Sequence, residues 1–397
     1  TTCPSAARSR ALPIELTRTL EILDRLIAFD TVSASSNLAL VDYVEGLLKS
    51  AGARVQRFPD TSGQKAGLYA EIGPAGQGIA LSGHTDVVPV EGQVWTRDPF
   101  KLSLDQGRAY GRGTTDMKGF VAGALALAER AGRATLKEPL KIVLSYDEEV
   151  GCLGLRDMLP SVLPLIGQPR AVIVGEPTEM QLALGHKGKV ALNAVCHGQA
   201  GHSAMAPDFV NAIHLAADFV GAVRTLQAEL AATGPRDADY DIPCTTLHVG
   251  KIAGGRALNI VPDRAEIAFE IRHLAADDPK ALVARLRQEA ERIAAPYSAI
   301  FEVARIEIAQ VSAYPGLSVD PGAEVAGMVQ RLSGRSGHFK VPYGTEAGFF
   351  AEAGLASVVC GPGSMPGQGH KPDEYIELSE LSALDRMLSR ILTEISA

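Results

Sequence analysis

Short apolar segments separated by a helical pattern are the feature of this sequence that most constrains its fold. Each segment is almost continuously apolar, which is typical of strands covered on both faces. Between the second and third segments, residues 118–132 carry apolar side chains at helical spacing. This alternation predicts an α/β domain with a mostly parallel sheet covered by helices. The segments are GLYAEIG (67–73), GIALSGH (78–84), LKIVLSYDEE (140–149) and PRAVIVGEP (169–177).

The chain is long enough for two domains, since a single hydrophobic core rarely grows beyond about 250–300 residues and this chain has 397. Helices are predicted before the first strand, over residues 14–30 and 37–52. The second of these helices closes on Gly52, which we predict as its C-terminal cap.

The pattern changes near residue 186, where half-buried alternation replaces the continuous apolar runs. The order becomes strand, helix, strand, strand, helix, strand, which is that of a ferredoxin-like split βαβ unit. The pattern of continuous apolar strands alternating with helices resumes near residue 315. We therefore predict a discontinuous main domain over 1–184 and 314–397, interrupted by an inserted α+β domain over 185–313.

Charge and composition exclude several classes of partner. The 46 acidic residues exceed the 38 basic ones, which gives a net charge of -8, and no dense Lys/Arg run occurs. Nucleic acid and anionic membranes are therefore poor partners. Residues 1–16 lack the apolar core of a signal peptide, and no stretch approaches the ~20 apolar residues that span a bilayer. We expect a soluble cytoplasmic protein.

The cysteines are odd in number, scattered, and never in a C-x-x-C pair. This pattern favours reduced thiols over a disulfide framework or a cysteine zinc site. We interpret each one as a small buried or surface residue. They are Cys3, Cys152, Cys196, Cys244 and Cys360.

Metal-binding side chains follow the apolar segments. Ligands of open α/β sheets bind outside the carboxyl ends of the strands, and several of those ends carry an imidazole or a carboxylate. Two histidines with several carboxylates suit Zn²⁺, Co²⁺ or Mn²⁺, and five ligands suffice for two ions that share a carboxylate. Asp86, two residues after His84, can orient the imidazole. The candidate ligands and neighbours are His84, Asp86, Asp116, Glu148, Glu149, Glu176 and His370.

Each of these residues taken alone has a simpler interpretation. A single histidine at a strand end is more often structural than a ligand, and Glu176 before Pro177 fits a solvated turn. The glycine-rich loops GRGTTDMKG and GPGSMPGQG lack the Lys-Ser/Thr ending of a P-loop. Neither H-E-x-x-H nor G-x-S-x-G occurs, so the chain lacks the sequence signatures of zincin metalloproteases and of α/β-hydrolase serine enzymes. The coincidence of these residues at one end of one sheet favours a metal site.

A set of longer motifs carries a family resemblance. In order and spacing, from residue 80 onward, the chain resembles the M20 family of di-zinc aminoacyl hydrolases. The segments SGHTDVVPVEGQVWTRDPF, YGTEAGF and FEIRHLAADDP are most similar to the members that deacetylate N-acetyl-L-ornithine in arginine biosynthesis. The motifs are SGHTDVVPV (82–90), GRGTTDMKG (111–119), DEEVG (147–151), VGEPT (174–178), GHSAMAP (201–207), GGRALNIVPD (254–263) and GPGSMPGQGHKPDEY (361–375).

The resemblance implies roles for the strand-end residues. His84 and Glu176 would bind one zinc, Glu149 and His370 the other, and Asp116 would bridge them. Cobalt would be able to replace the zinc. The peptide bond after Asp116 would be cis.

The resemblance also implies the chemistry at this site. Glu148 would be the general base of an amide hydrolysis that releases acetate and a free amino acid. Asp147 carries no implied role, and we interpret it as holding the turn through backbone hydrogen bonds. Gly369 stands where an alanine is commoner, which loosens the loop slightly without removing His370.

The inserted domain would act as a lid and as the interface of a homodimer. The resemblance implies that His202 stabilises the oxyanion across that interface, against the alternative of a histidine on an exposed loop. Arg272 would grip an α-carboxylate in bidentate fashion, against the alternative of a surface charge. Asn259 would add a hydrogen bond, and Thr345 is a further substrate-contact candidate.

Several functions remain open at this point. The same chemistry would serve N-succinyl-diaminopimelate, N-acetylcitrulline or a broad range of N-acyl amino acids. A non-catalytic binding protein on this scaffold is the alternative of another class. The complete ligand set together with Glu148 argues against it.

Overall fold

The computed structural model describes residues 14–397, so Cys3 and most of the N-terminal stretch lie outside the described part. The chain divides into two compact units. The first comprises the residues up to Leu184 with Val319–His338 and Thr345–Ala397. The second comprises Gly185–Ser318 and Phe339–Gly344.

Helices and strands alternate along most of the described chain. A 3₁₀ helix covers Ser203–Asp208. The α-helices are α1 (Ile14–Ile27), α2 (Leu38–Ser50), α3 (Lys118–Ala131), α4 (Leu153–Ile166), α5 (Ala212–Thr233), α6 (Pro279–Ser298), α7 (Glu324–Ser333), α8 (Ala347–Glu352), α9 (Met365–Gln368) and α10 (Leu378–Ile395). The strands are β1 (Arg54–Pro59), β2 (Ala66–Ile72), β3 (Ile79–His84), β4 (Ser103–Asp105), β5 (Arg108–Tyr110), β6 (Leu140–Ser145), β7 (Ala171–Pro177), β8 (Leu182–His186), β9 (Gly188–His197), β10 (Thr246–Gly254), β11 (Arg264–His273), β12 (Arg305–Tyr314), β13 (Leu317–Ser318), β14 (His338–Val341), β15 (Ser357–Gly361) and β16 (Tyr375–Glu377).

The large sheet of the first unit runs in the order β1-β2-β6-β3-β7-β15-β8. Strand β3 is parallel to both β6 and β7, and β7 is parallel to β15, whereas β1, β2 and β8 pair antiparallel. The predicted α/β class is confirmed, and the parallel pairing lies at the centre of the sheet. Every residue of β3, β6 and β7 is buried, which explains their continuous apolar sequences.

The register of these strands brings their carboxyl ends to one edge. His84 at the end of β3 lies beside Ser145 at the end of β6, and Ser82 lies beside Val174 on β7. The chain therefore leaves β3, β6 and β7 at neighbouring points. The loop after β6 carries the three consecutive carboxylates, and Glu176 is the next-to-last residue of β7.

The helices α1, α2, α3 and α10 pack around one hydrophobic core with the large sheet. Residues Phe120–Ala128 of α3 are buried throughout. A helix that is apolar on all sides is typical of a position inside a domain. The predicted cap is also present, since Gly52 follows α2 with a φ of 82°, a conformation that glycine adopts without strain.

The second unit contains a four-stranded antiparallel sheet in the order β10-β11-β9-β12. With α5 and α6 it gives the order β9-α5-β10-β11-α6-β12, which is the ferredoxin-like arrangement. The helices begin at side-chain caps, because Asn211 accepts the N–H of Ile213 and Asp278 accepts the N–H of Lys280. A separate core fills the space between these helices and the sheet.

Several elements have no counterpart among the sequence-based predictions. Helix α4 contains Pro160 and Pro164, which disfavour a helical interpretation of the sequence. Strand β1 is exposed or half-buried at most positions and therefore lacks a continuous apolar signal. Within residues 14–397, no helix is both long enough and apolar enough to cross a bilayer.

Candidate metal centre

His84 ends strand β3 with its ring buried, at a side-chain exposure of 1%. Its Nδ1 lies 3.0 Å from the carbonyl oxygen of Asp86. A carbonyl only accepts, so Nδ1 carries the proton in the neutral ring, and the lone pair is on Nε2. Nε2 lies 3.2 Å from Asp116 Oδ1 and 3.8 Å from Glu176 Oε1. The backbone of Asp86 thus presents His84 as a nitrogen ligand toward two carboxylates.

Asp116 lies between the two histidines. Its Oδ1 faces His84, and its Oδ2 lies 3.4 Å from His370 Nε2. The peptide bond between Asp116 and Met117 is cis, as the resemblance implies. Burial alone would raise the pKa of Asp116, but the His370 and His84 rings outweigh burial and hold it well below its usual range. Asp116 therefore directs one carboxylate oxygen toward each histidine.

Glu149 and His370 form the other half of the site. His370 Nε2 lies 3.1 Å from Glu149 Oε2. His370 stands in a loop with a φ of 61° and keeps 53% of its side chain exposed. At the preceding Gly369, a Cβ would lie 2.1 Å from Met365 Sδ. A larger residue at 369 would therefore require the flexible Met365 side chain to shift.

Glu148 points into the same cluster from the loop after β6. Its backbone N–H donates to Asp86 Oδ1 at 3.1 Å, and the N–H of Glu149 donates to Asp86 Oδ2 at 3.2 Å. Ser33 Oγ also donates to Asp86 Oδ2, at 2.7 Å. The thiol of Cys152 donates to Glu148 Oε1 at 3.2 Å. Asp86 therefore fixes the backbone of both glutamates, and Cys152 orients the Glu148 carboxylate.

The electrostatics of the cluster show a surplus of negative charge. Burial, reinforced by Glu149, Glu346 and Asp116, raises the pKa of Glu148 to about 8. Burial and the charge of Asp116 raise the pKa of Glu149 to about 7. Burial raises the pKa of Glu176 as well. These carboxylates disfavour each other's ionisation, so the charged cluster requires protons or cations.

The residues fit a divalent cation. Ligand atoms of His84, Asp116 and Glu149 lie within 4.8 Å of one another, and so do those of His84, Glu148 and Glu176. Glu149 Oε1 is buried and has no hydrogen-bond partner among the described residues, which is unusual for a carboxylate oxygen unless it binds an ion or water. The donors are nitrogen and oxygen, and the described cysteines are free thiols outside these groups. This set suits zinc, cobalt or manganese.

Asp147 holds the turn as predicted, because its backbone carbonyl accepts the N–H of Leu153 at 3.0 Å. Its side chain adds a contact that was not predicted, an ion pair with Lys65 Nζ at 2.5 Å. Lys65 also donates to the carbonyl of Ser33. Its position 82 residues earlier hides this pairing from the local sequence.

Two residues that contact or influence the cluster were not predicted. Glu346, just before α8, is buried, and neither carboxylate oxygen has a hydrogen-bond partner among the described residues. Burial raises its pKa to about 7, and its charge acts on Glu148. The signal for Glu346 was a charged residue inside the motif YGTEAG. For Cys152 the sequence predicts only a small buried or surface residue, although it directly follows the motif DEEVG.

His202 and Asn259 lie on the surface of the second unit. The backbone N–H of Ala204 donates to His202 Nδ1 at 3.1 Å, which caps the 3₁₀ helix. In the neutral ring the proton is therefore on Nε2, which is left as a hydrogen-bond donor. Ser203 N–H donates to the carbonyl of Asn259 at 3.1 Å, so the two predicted residues occupy adjoining loops. Their catalytic and binding roles stay predictions.

Arg272 and Thr345 have protein partners in the structure. Arg272, on β11, donates to Glu270 Oε1 at 3.0 Å and to the Tyr314 hydroxyl at 2.7 Å. Thr345 is completely buried, and its Oγ1 accepts the N–H of Ala347 at 3.1 Å. Binding of a carboxylate by Arg272 would compete with Glu270. The substrate-contact roles of both residues stay predictions.

A parallel-centred α/β sheet whose strand ends and neighbouring loops gather two imidazoles and several carboxylates is typical of metal-dependent hydrolases. Residues 80–394 match the family model described as peptidase family M20/M25/M40. The chain belongs to this family of amide hydrolases.

The matches to individual proteins extend over nearly the whole chain. An acetylornithine deacetylase from Myxococcus xanthus is 34% identical over 377 residues, which cover 93% of this chain and 95% of that protein.

Solved structures share the fold. An M20 family metallo-carboxypeptidase from Sulfolobus solfataricus superposes with a TM-score of 0.75 at 18% identity, covering 94% of this chain and 98% of that one. The YXEP protein of Bacillus subtilis, described as a dinuclear metal-binding M20 peptidase, gives 0.67 at 17% identity, covering 96% and 98%.

Proposed function

We propose that this protein is a zinc-dependent N-acyl-amino-acid amidohydrolase whose preferred substrate is N-acetyl-L-ornithine. The observation that carries the proposal is the position of Asp116, with one oxygen toward His84 and the other toward His370. A carboxylate between two imidazoles, each with its own further glutamate, is the arrangement expected of a bridging ligand. The preference for N-acetylornithine is supported by the deacetylase relative at 34% identity.

Under this proposal the buried half of the site is His84 and Glu176. The other half is Glu149 and His370, called the exposed half because His370 is 53% exposed although Glu149 is buried. Asp116 is shared. A divalent ion bound there supplies Lewis acidity, which polarises a carbonyl group and lowers the pKa of water. The positive charge also removes the mutual repulsion of the carboxylates. Two zinc ions match the nitrogen and oxygen donors, and cobalt is the expected replacement.

Glu148 is the general base of the proposed reaction. Its backbone is fixed by Asp86 and its Oε1 by Cys152, so the carboxylate is held in one orientation. Glu148 accepts a proton from the attacking water and passes it to the departing amine. The water oxygen first bonds to the carbonyl carbon to give a tetrahedral oxyanion, whose collapse breaks the C–N bond as the amine takes the proton from Glu148, which leaves acetate and a free amino group.

The second unit supplies the remaining groups of the proposal. His202 presents an Nε2–H that can donate to an oxyanion without carrying a charge. Arg272 has the planar, bidentate geometry that suits an α-carboxylate, and Asn259 and Thr345 are further substrate contacts. We also propose that this unit is a lid and the interface of a homodimer, and that the enzyme acts in the cytoplasm in arginine biosynthesis.

A substrate panel tests the proposal. The zinc-loaded protein is assayed for kcat/KM with N-acetylornithine, N-acetylcitrulline, N-acetylmethionine and N-succinyl-diaminopimelate. We expect N-acetylornithine to be preferred, and Glu148→Gln to be inactive on every member. A clear preference for the succinyl substrate would replace the assignment by a desuccinylase. Absence of hydrolysis by a protein that holds its metal would favour a binding protein.

A further inference from the structure

Glu374 is a buried carboxylate that lies outside the set of candidate ligands. It follows His370 by four residues, and its side chain is 1% exposed. Its Oε1 accepts the backbone N–H groups of Thr115 at 2.8 Å and Asp116 at 3.1 Å. Its Oε2 accepts the N–H of Gly113 at 3.0 Å and Arg112 Nη1 at 2.8 Å. One carboxylate thus binds most of the loop that presents Asp116.

Arg112 and Gln93 continue this network to the loop of His370. Arg112 Nη1 also donates to the carbonyl of Lys371 at 3.2 Å, and its Nη2 donates to Gln93 Oε1 at 2.5 Å. Gln93 Nε2 in turn donates to the carbonyl of His370 at 2.9 Å. The ring of Trp95 packs against the guanidinium of Arg112, whose Cζ lies 4.9 Å from the ring centroid. The network therefore runs without interruption from the backbone of Asp116 to the backbone of His370.

The two halves of the site need such a network to different degrees. His84 pairs with Ser145 of β6, and Glu176 lies on β7 between the paired residues Val174 and Pro177, so the sheet holds the backbone on which both stand. His370 stands in a loop, half exposed and outside any ladder. A buried ion pair contributes little net stability, since desolvation opposes the attraction. The ion pair of Arg112 with Glu374 is therefore better explained by the geometry that it fixes than by the stability of the fold.

We propose that Glu374, Arg112 and Gln93 are positioning residues that set the affinity of the site for its ions, Gln93 at the exposed half only and Glu374 at both halves through Asp116. This inference rests on the proposed metal centre. Glu374 holds the bridging Asp116, so its loss weakens the binding of both ions. Gln93 holds only the backbone of His370, so its loss weakens the binding of one ion.

Metal titration of the metal-free protein tests this proposal without any substrate. Co²⁺ is added to the wild type, Glu374→Gln and Gln93→Ala, and binding is followed by calorimetry and by the visible absorption of bound cobalt. We expect both equivalents to bind about 10–100-fold more weakly in Glu374→Gln, as is typical when a partner of a metal ligand is removed. In Gln93→Ala we expect about a 10-fold loss on one equivalent only. The affected equivalent is identified with His370→Ala, which removes it.

Glu377→Gln is the matched control. Glu377 lies three residues after Glu374 and also pairs with an arginine, Arg108, at 2.8 Å, but this pair is on the surface. It should bind cobalt like the wild type. The melting temperature of each metal-free variant reports on the fold, and if Glu374→Gln does not fold, Gln93→Ala decides alone. Unchanged binding in Gln93→Ala, or equal loss on both equivalents, would overturn the inference. Failure of the wild type to bind cobalt would refute the metal centre itself.

Discussion

The two halves of the candidate metal centre share Asp116 but are built differently. His84 and Glu176 come from central strands and are 1% and 3% exposed, whereas His370 comes from a loop and is 53% exposed. The sheet fixes the first half through paired strands, and side-chain contacts fix the second. The difference indicates that the first half is determined by the fold itself. The second half depends on a small number of hydrogen bonds, and substitutions in and around each half can test this contrast.

The largest effect is expected for Glu148, which we propose as the base rather than as a ligand of either half. Glu148→Gln keeps the size of the side chain but cannot accept a proton as a carboxylate does. We expect turnover to fall about 10²–10⁴-fold, with unchanged metal content measured by elemental analysis. A variant that lost an equivalent of metal would show that Glu148 is a ligand, and survival of turnover would show that the base lies elsewhere.

Replacing each of the two histidines by alanine should affect the stability of the metal-free protein differently. We expect each variant to bind one equivalent of metal more than about 100-fold more weakly, because a direct ligand has more effect than its hydrogen-bond partner. His84→Ala should also lower the melting temperature of the metal-free protein, since it opens a cavity and removes a partner of Asp116. His370→Ala should lower that temperature less, because His370 also pairs with Asp116 and Glu149 but is 53% exposed and its removal opens no buried cavity. Equal melting behaviour of the two variants would contradict the contrast.

Metal removal should make stability depend on pH. Burial raises the pKa of Glu148 to about 8 and of Glu149 to about 7, from an ordinary value of 4.5. In that window the folded state binds more protons than the unfolded state, so the free energy of unfolding falls as pH rises. Hydrogen bonds to Asp116 and Glu149 raise the pKa of His370 to about 10 from 6.5, which acts in the same direction at higher pH.

We therefore expect the melting temperature of the chelated protein to fall by on the order of 5 °C between pH 5 and pH 9. Zinc should remove most of this slope, because the cations replace the protons. Scanning calorimetry with and without chelator measures both. A slope of the opposite sign, or one that zinc leaves unchanged, would mean that these carboxylates do not hold the metal.

The smallest effect is expected for Cys152, which contacts Glu148 and neither half of the site. Cys152→Ala removes the 3.2 Å hydrogen bond to Oε1, so the base becomes less well oriented. We expect kcat to fall roughly 3–10-fold with KM nearly constant, in line with the ~1 kcal/mol of an ordinary hydrogen bond. Cys152→Ser, which restores a donor, should recover part of kcat. Cys360→Ala, another buried thiol, is the matched control.

The sequence predicted those parts of the molecule that follow from periodicity. The continuous apolar runs of β3, β6 and β7 predict the sheet. Because the carboxyl ends of parallel strands meet at one edge, they also predict that His84 and Glu176 lie close together. The half-buried alternation of β9–β12 gave the ferredoxin-like order. These features are local, because each depends on a pattern within one segment.

The network around His370 could not be predicted in the same way. Gln93, Arg112 and Glu374 are separated by up to 281 residues in sequence, and no periodicity relates them. Glu346 was missed for the same reason, since its burial depends on how α8 packs rather than on its neighbours in sequence. The sequence predicts the turn at Asp147 but not its ion pair with Lys65, which is 82 residues away. Long-range polar contacts depend on the finished fold.

Gly369 and Met365 show how a flexible neighbour relaxes a packing constraint beside the site. The sulfur of Met365 occupies the volume that a side chain at position 369 would need. A methionine side chain has several rotatable bonds and adapts to irregular space. An alanine at 369 therefore requires only a shift of the Met365 side chain, so glycine is favoured at this position rather than required.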